Sequence, residues 1–183
     1  MEECNDLKHF SKENIIDIIL ICIIGTIFHF AYEFSGRNIL VALFSATNES
    51  IWEHIKIAVM AIYFVAFIKM VIKEKRDKNL WVSLFFKNIS VLLIISIFFY
   101  SYKAILRIEN LFLDLIILYI SVVISQIVES YIKKCVNVSA KIEDIYKYLN
   151  IIFILFFIIF TFWTPNLGIF RDFTVEKYRI GGI

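Results

Sequence analysis

The chain has 183 residues, is 60% hydrophobic with a mean hydropathy of +0.78, and carries a formal net charge of +2 from 19 Lys and Arg against 17 Asp and Glu. No water-soluble domain of that length has interior enough to hide so much apolar surface, whereas lipid solvates it directly. The small net charge, with its cations in loops rather than in a basic patch, excludes nucleic acid as a partner.

Five segments are apolar over the roughly 20 residues that a helix needs to cross a hydrocarbon core of about 30 Å. They are residues 15–33, 50–72, 80–106, 111–132 and 148–164. The first lacks the basic leader and small-residue cleavage site of a signal peptide, so it reads as a retained anchor. The third carries Lys87 and Asn88 a third of the way in. It is expected to begin as an interfacial turn, or to let Lys87 snorkel toward the headgroups. Between the first two segments, the apolar run 39–44 is too short to cross and predicts an interfacial or re-entrant element. The expected fold is an all-α polytopic membrane helix bundle, one integral domain with about five transmembrane helices in contact with the lipid bilayer. Ten Lys and Arg fall in the loops on the N-terminal side against six on the other. The positive-inside rule then predicts a cell-membrane protein with a cytoplasmic N-terminus and an external C-terminus. Cys4, Cys22 and Cys135 are odd in number and widely spaced, which predicts neither a disulfide framework nor a zinc ribbon.

The chemistry concentrates in residues 28–56, FHFAYEFSGRNILVALFSATNESIWEHIK. Ionisable groups beside hydrocarbon persist only when paired, solvated or functional. His29 and Glu33 are four residues apart and share a helix face, and Glu49 and Glu53 repeat that spacing at the start of the second span, with His54 adjacent. Ser45, Thr47 and Asn48 offer caps for that span, and Glu49 lies favourably against its N-terminal dipole.

Three readings are open. Imidazole and carboxylate ligands from two helix ends suit a divalent metal such as zinc, with His29, Glu33, Glu53 and His54 as ligands and Glu49 as general base, Glu53 being the other catalytic candidate. No HExxH, GxSxG or phosphate-binding loop accompanies them. Alternatively, the same groups with Asn38, Asn48, Trp52 and Lys56 form a pocket for a small polar ligand, as in a transporter or a substrate-binding membrane subunit. In the third reading they only tie helices together by charge pairs such as Glu53 with Lys56 or Glu33 with Arg37, in a structural or accessory protein that assembles with another membrane partner.

In the fourth segment Asp114, Ser121 and Ser125 fall along one helix face, flanked by Gln126 and Glu129. They line a pocket, or they bond neighbouring helices at about 0.6–2 kcal/mol each. Trp52, Trp81 and Trp163 fall near span ends, as an interfacial aromatic belt would place them. The tail after Pro165 interleaves apolar and charged residues, so it is expected to rest on the bilayer or fold back between helices. Either way Asp172 becomes a further ligand or lid candidate.

The blocks HFAYEFSGRN and LFSATNESIWEHIK resemble the signature of an uncharacterised bacterial family of small integral membrane proteins, a domain of unknown function that pairs H-F-x-Y-E-x-S-G-x-N with N-E-S-x-W-E-H-x-K. The matching positions are His29, Tyr32, Glu33, Gly36, Asn38, Asn48, Glu49, Ser50, Trp52, Glu53, His54 and Lys56, with Pro165, Phe170, Asp172 and Tyr178 in the tail. The tail departs from that pattern where a second proline and a closing Tyr-Gly-Ile are expected. The resemblance covers the first third and the last tenth of the chain. It points to the same site and implies no activity.

Overall fold

The structure, a computed structural model, describes residues 11–72, 77–108 and 110–172. Among them it is helical: α1 (Lys12–Phe34), α2 (Ile39–Ala42), α3 (Ile51–Ile72), α4 (Leu80–Leu106), α5 (Leu111–Cys135) and α6 (Ala140–Phe162), then a 3-10 turn at Gly168–Phe170. Five of these helices are long and apolar enough to cross a membrane, which suggests a multi-pass protein in a bilayer. Cys4 and the tail from residue 173 lie outside the described residues.

Local sequence accounts for the helix ends. Ser11 accepts from Asn14 N–H and starts α1 at Lys12, three residues before its apolar run. At the other end Gly36 and Arg37 both take left-handed φ angles of 69° and 65°. Gly36 N–H bonds the Glu33 carbonyl and Arg37 N–H the Tyr32 carbonyl. This is the paired C-terminal closure that a left-handed residue after a helix permits. Asn38 then caps the single turn of α2, so the 39–44 run is one short helix followed by a turn. The last helix begins eight residues earlier than hydropathy alone predicts, because 140–147 has good helix formers among its charges.

Helix α3 is the centre of the bundle. Ile55, Ala58, Ile62 and Val65 are buried there against Val91, Ile95 and Phe99 of α4 and Leu118 and Val122 of α5. Helix α4 packs along α5, α1 against α3 and α5, and α6 against α4.

Polar groups gather at the two ends of this core. At the end holding Asn14, Lys87 neither snorkels nor unwinds its helix. It points into the bundle, 2.6 Å from Gln126 Oε1 and 2.6 Å from Glu129 Oε2. Lys133 also reaches Glu129 (2.7 Å) and Asp77 (3.0 Å), while Lys69 of α3 meets Asp17 of α1 at 2.5 Å. The charges surround a cavity of about 30 Å³, enough for a water molecule. Ser121 and Ser125 bond carbonyls of their own helix, at Leu118 and Val122, rather than a neighbouring helix. Cys135 is disulfide-bonded and Cys22 is a free thiol.

Removing one partner of a buried ion pair strands the other, at a cost of about 3–5 kcal/mol. Glu129→Gln, which leaves Lys87 and Lys133 facing a neutral amide, is therefore expected to lower the thermal midpoint in detergent sharply. Glu33→Gln, at the exposed Glu33–Arg37 pair, should move stability by no more than about 1 kcal/mol. Equal shifts for the two would disprove the clamp.

Candidate functional site

The opposite end is built by the connection 35–50 folding back over α3. Ala46 N–H bonds the Phe28 carbonyl of α1, which returns the chain to the helix it has just left. Ser50 then caps α3: its hydroxyl accepts from Glu53 N–H at 3.3 Å. In the capping box S-x-x-E the glutamate reaches back to a free N–H. Here Glu53 Oε2 accepts from Thr47 N–H (2.8 Å), three residues before the cap. Asn48 turns the chain locally by accepting from Ser50 N–H.

Glu53 also holds Lys56, whose Nζ lies 2.6 Å from Oε2. The ammonium is fully buried and donates to the Ala42 carbonyl (3.0 Å) and the Thr161 hydroxyl (3.2 Å). All three of its protons are thus used, and α2, α3 and α6 are joined. Glu53 and Lys56 form a closed structural knot. Glu33 faces outward to Arg37 at 3.3 Å, away from the imidazoles.

The groups that do converge are His29, Glu49 and His54, whose ligand atoms all lie within 4.8 Å of one another. His29 Nε2 is 3.9 Å from Glu49 Oε2, and His54 Nε2 is 3.6 Å from the same oxygen. The imidazole planes are near perpendicular, at 80°, with centroids 5.2 Å apart. His54 Nδ1 lies 2.9 Å from the Ser50 carbonyl. A carbonyl only accepts, so Nδ1 carries the proton and Nε2 presents its lone pair. Both Nε2 atoms are buried and have no hydrogen-bond partner among the described residues. Glu49, 40% exposed at its side chain, is the open side of the cluster.

The other candidates support this arrangement from around it. Asp172 accepts from Glu49 N–H at 3.4 Å, tying the tail to the backbone of that residue. Trp52 is buried rather than at an interface. It stacks on Phe157 (4.5 Å between centroids) and packs at a tilt against Phe170 of the tail (4.6 Å). Asn38 is exposed and caps α2. Sequence reasoning missed Thr161; its signal was a hydroxyl within the Phe-rich run of the last span.

A family model described as "Family of unknown function (DUF6512)" matches residues 2–180, nearly the whole chain, and the chain belongs to that family. No curated protein and no solved structure matches it.

The knot and the cluster differ in what they need. Glu53→Gln should destabilise the protein by about 3–5 kcal/mol by leaving Lys56 buried and unpaired. Glu53→Gln with Lys56→Met should recover most of that loss. Thermal unfolding of the two singles and the double closes the cycle, and additive losses would mean that the pair is not coupled.

Proposed function

We propose that this member of the DUF6512 family binds a divalent transition metal, zinc being the best match, through His29 Nε2, the Glu49 carboxylate and His54 Nε2. The observation that carries the reading is the pair of buried Nε2 atoms without a hydrogen-bond partner, both within 4 Å of one carboxylate oxygen. A buried polar atom left unsatisfied costs about 1–3 kcal/mol, and two side by side call for a common partner.

Distance decides what that partner is. Separations of 3.6 and 3.9 Å are beyond the 2.7–3.2 Å of a good N–H···O bond, so direct pairing with Glu49 does not satisfy the rings. Ligands at about 2.0–2.1 Å from a tetrahedral zinc stand about 3.3–3.4 Å apart. A shift of a few tenths of an ångström brings the oxygen to that distance from each nitrogen, and the two nitrogens, within 4.8 Å of one another, close on the same point as the rings turn. The Ser50 carbonyl supplies the outer hydrogen bond that orients a ligating imidazole. Two histidines and one carboxylate are three protein ligands, which leave a fourth position for water or a substrate oxygen, the arrangement of zinc sites that do chemistry.

In this reading Glu49 is a ligand rather than the general base. Glu33 and Glu53 drop out of the ligand set because one faces Arg37 and the other is committed to Lys56.

Elemental analysis of the detergent-purified protein tests it. Near-stoichiometric metal is expected in the wild type and in Glu33→Gln. His29→Ala, Glu49→Ala and His54→Ala should lose it while keeping their helical circular dichroism. Imidazole ligates only in its neutral form, so acidification is expected to release the metal. Absence of metal after reconstitution with zinc or manganese, or metal that survives His54→Ala, would overturn the assignment.

A further inference from the structure

A second feature, independent of the metal reading, lies on the far side of α3 from His54. Helices α3 and α6 meet through Trp52 and its phenylalanines at one end and through Tyr63, whose hydroxyl donates to Asn150 Oδ1 (2.8 Å), further along. Beside these contacts they stand apart and leave a lateral groove of about 610 Å³. Met60, Phe64, Phe67 and Met70 of α3 form one wall, and Ile151 and Ile154 of α6 the other.

Besides the Trp81 indole, the polar side chains that line it are Tyr63 and Asn150. Tyr63 and Asn150 bond each other, and Asn150 Nδ2 donates to the Trp81 and Tyr146 carbonyls. The rest of the lining is apolar, and a dry gap of this size would forfeit the dispersion contacts of that lining. The groove lies within helices long and apolar enough to span a membrane, so hydrocarbon is the solvent that reaches it.

Length and charge narrow the occupant. From Met60 to Met70 is ten residues, about 15 Å along a helix. That is half of a hydrocarbon core of about 30 Å, the depth of one leaflet. One end is closed by Phe28 and Phe44, whose rings are 5.2 Å apart. The other end reaches Trp81, and exposed Lys78 stands in the turn just before it. Lys147 precedes Ile151 by four residues and so continues the same face of α6 one turn beyond the groove. The groove is thus apolar along one leaflet and shut at mid-bundle, and its other end carries Lys78 and Lys147 beside one carboxylate, Glu143, which is occupied in accepting from Trp81 N–H (2.9 Å).

We infer that one acyl chain of an anionic bilayer phospholipid occupies this groove, with its phosphate-bearing headgroup held by Lys147 and Lys78. The lipid completes the contact between α3 and α6 and is a bound component of the fold rather than a passing neighbour.

The test uses full-length protein stripped of lipid in detergent and titrated with phosphatidylglycerol or with phosphatidylcholine of identical chains. Native mass spectrometry and thermal unfolding are the readouts. Phosphatidylglycerol is expected to give a retained one-to-one adduct and a higher unfolding midpoint than phosphatidylcholine. Ile154→Trp, which fills the groove, should lose the adduct and the shift. Lys147→Gln should keep chain binding and lose the preference for the anionic headgroup. Equal effects of the two lipids on the wild type, or an undiminished adduct in Ile154→Trp, would overturn the inference. Should Ile154→Trp fail to fold, Lys147→Gln decides alone, and an unchanged phosphatidylglycerol preference sinks the proposal. Metal content is read in the same samples, so failure of the lipid site and failure of the metal site are separable.

Discussion

The ammonium of Lys56 is the group on which the order of the candidate site depends. Its side chain is fully buried, so its charge has to be met by protein. The groups that meet it come from three places: Glu53 one turn back on α3, the Ala42 carbonyl at the end of α2, and Thr161 near the end of α6. Glu53 in turn holds Thr47 N–H. The connection 42–50 is therefore bound at both ends to one charge pair, and Glu49 is carried on the last residues of that connection. A loop this short, capped by Ser50 and crossed by Asp172, has little freedom left. Preorganisation of that kind is what holds ligands within a few tenths of an ångström of a productive position.

The two ends of the bundle solve the problem of buried charge in opposite ways. Around Glu129 the basic and acidic groups of α1, α3, α4 and α5 meet at 2.5–3.0 Å, with Gln126 filling in between. Around Glu49 the separations are longer, 3.6 and 3.9 Å, and two ring nitrogens have no partner among the described residues. A satisfied network gives rigidity, whereas an incomplete one at a defined point gives affinity for whatever completes it. The same contrast separates Glu53 from Glu49 within a single turn of helix. One is consumed by the fold, and the other stands at the edge of solvent.

Much of the architecture was legible from hydropathy alone, because lipid permits few alternatives to helices of about 20 residues. The location of the site was legible too, since polar residues crowd 28–56 and are thin in the spans nearby. The partners were not. The i, i+4 spacing of His29 with Glu33 and of Glu49 with Glu53 invites those pairs to act together. In the fold, each pair splits between a cluster and an unrelated contact, because the face that α1 turns to α3 carries His29 and not Glu33. Lys87 looked like a snorkelling residue because its acidic partner lies 42 positions away on another helix.

The surroundings of Glu49 also bear on what a cation held there would prefer as its fourth ligand. One carboxylate and two neutral imidazoles leave a divalent ion with a net charge of about +1. The cluster sits at the start of α3, the positive end of the helix dipole, which contributes roughly half a positive charge. The nearby cation Lys56 is already neutralised by Glu53, and Asp172 is occupied in part by the Glu49 backbone. With a divalent ion held there, the ion would be the largest local charge and would set the sign of the field at its open position. An anionic oxygen, whether hydroxide or the oxyanion of a bound substrate, is favoured there over a neutral or cationic group. The polarity of α3 and the single carboxylate of the ligand set thus act in the same direction.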